Sequence, residues 1–281
     1  MPELLLGALA ISFSAVFMKL VAVGPTAAGF YRMLFGGVLL AAMLVWRGER
    51  LRLGRATPWV LAAAAAFALD LVFWHRSILA IGTGLATLLA NFQVFLVALA
   101  SVLWLDERGG ARLALAAALA LLGLALIVGI DLTALDAGRQ VGIALGIATA
   151  FCYAAYILTL RNARGAGGTS ATGLITAISL ATAALLALAV PLAGESFAIP
   201  TVRDLGLLAL YGLVGQVLGW VLISRAVDRL PVSRVALVLL LQPVFAYAWD
   251  VAFFGRSFST TEVAGAALAL LAIYLGATRR A

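Results

Sequence analysis

From Ser77 to Leu105 the chain runs for 29 residues without a charged side chain. A helix rising about 1.5 Å per residue crosses the hydrocarbon of a bilayer in roughly 20 residues, so this run is long enough to cross once and start back. The cluster Gly82-Thr83-Gly84 near its middle predicts a tight hairpin, one helix ending near Ile81 and an antiparallel partner starting near Gly84. The flanks are unlike those of a plain anchor. Asp70, His75 and Arg76 lie inside the first helix, Asn91 and Gln93 inside the second. Polar groups at membrane depth are costly and face a bundle interior or a cavity, so this hairpin is where a functional site is sought.

The same plan returns 149 residues later, over Gly219 to Arg256. Arg76 then falls on Arg225, the Gly82 break on Pro231 and Gln93 on Gln242. Only Val72, Arg76, Leu88, Gln93 and Val102 are identical across the 38 aligned positions, so the argument for a repeat rests on the shared order of helix, arginine, short break, and helix with a central glutamine.

With 65% hydrophobic and 11% charged residues in 281, there is too little polar surface to cover a soluble globule. The chain reads as an all-α, polytopic membrane protein. Ten spans fit: about Glu3–Val21, Thr26–Trp46, Pro58–Ile81, Thr83–Leu105, Arg112–Ile130, Val141–Leu160, Thr169–Val190, Asp204–Arg225, Pro231–Phe254 and Thr261–Ala277. Pro25, Pro58, Pro200 and Pro231 stand at or just before helix starts, where a missing N–H costs nothing. The opening MPELLLGALAISFSAVF lacks a basic leader region and is read as the first span. Cys152, the lone cysteine, excludes an internal disulfide.

The net charge of +7 is a topology signal and not a nucleic-acid footprint, because the arginines are scattered through short loops. With a cytoplasmic N-terminus, thirteen arginines, among them Arg47, Arg50, Arg161 and Arg229, lie inside. Lys19, Arg76, Arg139, Arg203 and Arg256 lie outside, and Arg32 lies within a span. Both termini are expected in the cytoplasm. Eighteen arginines against one lysine point to a GC-rich bacterial genome, hence to a bacterial inner membrane. Ten helices in two sets of five, 1–137 and 138–281, have a topological corollary: an odd-numbered repeat inserts the second time upside down. Inverted repeats are the architecture of many secondary transporters, with the solute site near the midplane.

The run SILAIGTGLATLLANFQVFLVALASVLWLDE resembles the hairpin between spans three and four of the drug/metabolite transporter superfamily, EamA type, closed by the acidic pair Asp106-Glu107. GLVGQVLGWVLISRAVDRLPVSRVALVLLLQPVFAYAWDVAFFG is similar to its counterpart in the second half, including the mid-helix Pro243. The chain departs from the pattern at Val94, which stands opposite Pro243, and at Gly255-Arg256, where a Glu is usual. Among members, the polar and aromatic interior looks most like the aromatic amino-acid exporters (YddG type). The resemblance implies a ten-helix transporter.

Candidate site residues come from stripes of polar and aromatic side chains. Thr149, Cys152, Tyr153, Tyr156 and Thr159 recur at helical spacing along span six, either as a packing seam with hydroxyls on backbone carbonyls or as a cavity wall. Asp70, Phe73, Trp74 and Ser77 share a face of span three. Asp70 near the helix midpoint needs a partner such as Arg32, a wet cavity, or protonation. His75 lies on another flank, as a satisfied interior residue or a relay. Asn91 and Gln93 point about 200° apart, so one of them bonds a neighbouring helix. Gln242 with Phe245, Ala246 and Trp249 forms a stripe on span nine, where Pro243 frees the Leu239 carbonyl and bends the helix. Gln216, Trp220 and Ser224 line one side of span eight, while Gly212, Gly215 and Gly219, like Gly142 and Gly146, read as packing seams. Spans five and ten, Leu113–Ile130 and Val263–Ala277, are almost wholly small and aliphatic and belong at the lipid edge or a dimer contact.

The expected substrate-binding set is Asp70, Trp74, His75, Asn91, Thr149, Tyr153, Tyr156, Gln216, Trp220 and Gln242. Tyr and Trp offer flat apolar faces with one hydrogen bond each, and Asn, Gln and Ser hold an amino-acid head group without a fixed countercharge. This predicts an exporter of small neutral or zwitterionic metabolites, amino acids first and aromatic ones among them, working by alternating access as a uniporter. It needs no cofactor, metal or nucleic acid; its partners are its solute and the lipid bilayer, and it works as a monomer or weak homodimer. A carrier of phosphorylated or other anionic metabolites would want paired Lys/Arg at the midplane. A membrane enzyme acting on a lipid-linked substrate would want acidic clusters or histidines for a metal. One histidine and no DxxD-type cluster argue against the enzyme.

Overall fold

The computed structural model describes every residue except 82, 105–110, 129–136, 256–258 and 278–281, and the backbone alone at 15, 83–85, 128, 250 and 277. Gly82, Asp106-Glu107, Arg256 and three of the thirteen arginines placed inside, Arg108, Arg279 and Arg280, lie outside the described residues. All regular structure among the described residues is helical. In chain order the helices begin with α1 (Pro2–Ser12), α2 (Ser14–Leu20), α3 (Pro25–Trp46), α4 (Thr57–Ile81), α5 (Thr83–Ala90), α6 (Gln93–Trp104) and α7 (Ala111–Val128). They continue with α8 (Ala137–Gly165), α9 (Ala171–Leu192), α10 (Val202–Tyr211), a π-helical segment (Gly212–Trp220), α11 (Val221–Val227), α12 (Val232–Leu239), α13 (Leu241–Phe254) and α14 (Thr260–Ala277). Taken across their interruptions, eight of these stretches are long and apolar enough to cross a membrane. Two shorter apolar helices, Ala111–Ile127 and Thr260–Gly276, stand where the fifth and tenth spans are expected.

Four expected spans are not regular α-helices, and of these the sequence placed a bend only in the ninth. In the first, the Ser12 hydroxyl donates to the Leu9 carbonyl at 2.6 Å, and a tight turn at Phe13 separates α1 from α2. In the fourth, the Asn91 side-chain amide donates to the Thr87 carbonyl at 2.7 Å. The backbone there closes i→i−3 bonds, Asn91 to Leu88, Phe92 to Leu89 and Val94 to Asn91. In the ninth the helix breaks at Leu240, whose N–H reaches Leu237 at 3.1 Å, as expected of a proline at 243 that leaves the Leu239 carbonyl without its donor. Asn91 and Leu240 are 149 residues apart, the spacing of the repeat, and each N–H bonds the residue three before it. The eighth span widens into the π segment, where three glycines keep the backbone narrow enough to pack while the turn opens.

The chain divides into two compact units. The first comprises Met1–Val72 and Ala155–Arg229, that is α1 to α3, the first part of α4, the last part of α8, and α9 to α11 with the π segment. Here α3 packs along α9 and along the π segment, which α1 flanks. The backbones of α3 and the π segment come close at Gly36 and Gly212: a Cβ on Gly212 would stand 2.6 Å from the Gly36 nitrogen. Only a residue without a side chain fits there. Glu195 holds the start of α3, its carboxylate oxygens accepting from the N–H groups of Thr26 and Ala27 at 3.1 and 2.8 Å. Those donors have no partner inside the helix, and a carboxylate suits the positive end of its dipole.

The second unit, Phe73–Ala154 and Leu230–Ala281, contains the remainder of α4 and α8 with α5 to α7 and α12 to α14. Its tightest pairing is α7 with α14. A Cβ on Gly123 would lie 2.5 Å from the Gly265 carbonyl oxygen, and one on Gly265 would lie 2.6 Å from that of Gly123, so the two backbones touch. Leu115, Leu122, Leu270 and Leu271 are left exposed on the outer faces. The helix bounds fall where the glycine cluster predicts them, α4 ending at Ile81 and α5 beginning at Thr83.

Candidate functional site

In the first unit a buried group of polar and aromatic side chains gathers from α3, α4, α8, α9, α10 and the π segment. Arg32, seven residues into α3, is 4% exposed. Its Nε donates to Gln216 Oε1 at 3.1 Å and its Nη1 to the Tyr211 hydroxyl at 3.3 Å. The guanidinium carbon stands 5.0 Å from the centroid of the Tyr211 ring and 5.7 Å from that of Phe67. Gly215 makes room for it, since a Cβ there would meet Arg32 Nε at 3.1 Å. Gln216 passes the chain on, Nε2 donating to Ser179 Oγ at 3.0 Å. All these partners are neutral.

Beside it lies an aromatic trio. The Tyr156 ring stacks on Phe67, centroids 4.4 Å apart and planes 12° from parallel. Trp220 meets both edge-on, at 4.6 Å from Tyr156 and 5.5 Å from Phe67. Offset stacking and edge-to-face contact are the arrangements the ring quadrupoles favour. Asp70 follows Phe67 by one helical turn and is likewise buried. No ion pair joins it to Arg32, and Asp70 Oδ1 has no hydrogen-bond partner among the described residues. The ion pair with Arg32, one of the alternatives open for Asp70, is therefore not formed; Gln216 and Tyr211 take the guanidinium instead.

Of the ten expected site residues, Asp70, Tyr156, Gln216 and Trp220 are thus neighbours of this cluster. The other six belong to the second unit. Gln242 Nε2 donates to the Tyr153 hydroxyl at 3.2 Å, tying α13 to α8. Trp74 Nε1 donates to Thr87 Oγ1 at 3.3 Å, and its ring lies 5.3 Å from that of the buried His75. Thr149 and Asn91 bond carbonyls of their own helices, Thr149 to Leu145 at 2.9 Å and Asn91 to Thr87. Gln93 is the residue of its pair that reaches a neighbouring helix, its Nε2 3.4 Å from the Ala236 carbonyl oxygen on α12. The glycine seams pack as read, Gly142 against Ala80 and Ile81, and Gly146 against Leu89.

Arg32, Phe67, Tyr211 and Ser179 are the members of the cluster that the sequence stripes leave out. Phe67 was within reach of that reasoning, because it extends the Asp70 face of α4 by one turn. Arg32 carried a signal too, as a charge inside an apolar span. Nothing local points to Tyr211 or Ser179.

The EamA-like transporter family model matches the chain twice, over residues 3–129 and 140–278, so both halves carry the same family pattern. No curated protein matches the sequence. Among solved structures, one described only as "Crystal structure of protein" superposes with a TM-score of 0.83 at 19% identity, over 98% of this chain and 97% of that one. At that identity the likeness speaks for the fold alone. The two family matches together cover nearly the whole sequence, and the helical fold agrees with them: the chain belongs to the EamA-like transporter family.

Proposed function

We propose that this transporter exports small neutral or zwitterionic metabolites, amino acids first and aromatic ones among them, across a bacterial inner membrane by alternating access as a uniporter. Ten membrane-crossing helices, arranged as two inverted five-helix repeats divided near residue 137 with both termini cytoplasmic, complete the reading. It draws most support from the meeting of the Phe67–Tyr156–Trp220 trio with the Arg32–Gln216–Ser179 network. A flat apolar surface beside fixed hydrogen-bonding groups suits a solute with a planar or branched side chain and a polar head. In the second unit, the Tyr153–Gln242 pair, with Trp74 and His75, is kept as a set of positions the solute meets in passage. Thr149 and Asn91 act there through the shape of their helices.

Arg32 favours a second reading, an anionic metabolite such as a phosphate ester, over an uncharged one. The test is the pure protein in liposomes, assayed for uptake of a labelled amino-acid panel and of a hexose phosphate, with and without a pH gradient. Amino-acid uptake indifferent to the gradient is the expected result. Accumulation driven by the gradient would replace uniport with proton coupling, and uptake of the phosphate ester alone would select the anionic reading.

A further inference from the structure

Arg32 and Asp70, side chains of opposite polarity, flank Phe67 in the first unit without forming an ion pair. Arg32 has two of its three nitrogens engaged, both by neutral partners, while Nη2 donates to no group among the described residues. Asp70 is 8% exposed, and its Oδ1 accepts from nothing among the described residues. Phe67 links them in space, since its ring lies 5.7 Å from the guanidinium carbon and Asp70 is one turn further along the same face of α4. Removing a cation and a carboxylate from water is costly unless each gains a partner of opposite charge. Here they do not serve one another, because Gln216 and Tyr211 hold the guanidinium and Gly215 gives it room where it stands.

Resting on the transporter reading above, we propose that Arg32 and Asp70 form a head-group clamp for a zwitterion, Arg32 binding the carboxylate of an α-amino acid and Asp70 its ammonium. The Phe67–Tyr156–Trp220 trio then faces the side chain. Charge complementarity selects this class against its neighbours. A phosphate ester satisfies Arg32 but brings its second negative charge to Asp70, and a simple amine satisfies Asp70 but meets Arg32 with a like charge. Only a solute carrying both charges a few ångströms apart pairs both residues. A guanidinium is also the cation whose planar fork matches a carboxylate.

The experiment uses full-length protein in liposomes with radiolabelled L-phenylalanine and L-leucine. Each is challenged by its decarboxylated counterpart, phenethylamine or isopentylamine, and by its deaminated one, 3-phenylpropionate or 4-methylpentanoate. In the wild type each counterpart is expected to compete at least about tenfold more weakly than the parent amino acid, a difference of about 1.4 kcal/mol. In Arg32→Gln the gap between amino acid and amine should shrink below about threefold while the gap to the carboxylate persists, and Asp70→Asn should do the converse. The wild-type series alone tests the clamp if either variant does not fold. Equal competition by all three solutes, or unchanged discrimination in both variants, overturns the clamp while leaving amino-acid transport intact. Absence of uptake for every amino acid tested overturns the transport reading, and the clamp with it.

Discussion

Arg32 Nε donates to Gln216 Oε1 at 3.1 Å across 184 residues of sequence, and this bond fixes which way the glutamine amide points. With its oxygen on the guanidinium, Gln216 turns Nε2 to Ser179. The amide is the one side chain here that accepts from a cation and donates to a hydroxyl without bringing a charge of its own. Gln216→Glu keeps the shape and adds that charge. It should strengthen the bond to Arg32, raising stability by about 1–2 kcal/mol on the scale of charge-assisted hydrogen bonds. Uptake should fall at least about tenfold, because the cation is then satisfied from within. Melting in detergent and uptake in liposomes, measured side by side, check the opposite signs.

Trp220, at 2% exposure, closes the aromatic trio from the π segment. Trp220→Ala leaves a cavity against both rings and should cost about 3–5 kcal/mol, so its loss of transport will come with a lower melting temperature. Trp220→Phe, which preserves a ring edge toward Tyr156, should stay folded and lose uptake only in part. A Trp220→Ala protein that melts like wild type would remove the trio from the stability argument.

The contact of Gly123 with Gly265 is backbone against backbone, so nothing there is able to give. Gly265→Ala should separate α7 from α14 and cost about 1–3 kcal/mol, as overpacking does. Gly206 in α10 has open space around its Cα. Gly206→Ala should be neutral or stabilise by about 0.5–1 kcal/mol through helix propensity. Thermal melts of the two variants should therefore move in different directions or by clearly different amounts.

The interruption at Leu240 is accompanied by Pro243, while the one at Asn91 is made without a proline, Val94 standing in that place. Pro243→Val imports the first copy's residue into the second. The Val N–H regains a donor for the Leu239 carbonyl, and the turn at Leu240 loses its cause. Stability should rise by about 1 kcal/mol or more, while uptake falls if the bend serves transport. Melting and uptake of the same preparation tell the two effects apart.

Topology has its own check. Single cysteines placed at Arg50 and Arg161, in a protein with Cys152→Ser, should react with an impermeant reagent only from the cytoplasmic side. One at Gly194 should react only from outside. Matching accessibility of Arg50 and Gly194 would sink the ten-span arrangement.

Much of the helix pattern was legible because it follows from local rules. A charge-free run sets the length, Gly82-Thr83-Gly84 marks the end of α4 at Ile81 and the start of α5 at Thr83, and Pro243 sets the break at Leu240. The turns at Phe13 and Asn91 were not, because each depends on a serine or asparagine side chain capturing a carbonyl of its own helix. The π segment escaped for a similar reason: its glycines are equally at home in an α-helical seam, and only the packing of α3 against it selects the wider turn. Of the site, Asp70, Tyr156, Gln216 and Trp220 were within reach as polar or aromatic stripes. The role of Arg32 was not, since its partners Tyr211 and Gln216 lie 179 and 184 residues away and no periodicity reports such a pairing.

The backbone contact between α7 and α14 also bears on what surrounds them. A glycine on a membrane helix is a place where a second helix is able to seat, and here Gly123 and Gly265 use each other within one chain. What the pair turns outward is a ridge of leucines with Tyr274 among them. A rigid neighbouring helix would need a matching groove to sit against such a ridge. Fluid acyl chains need none, and they mould themselves to it.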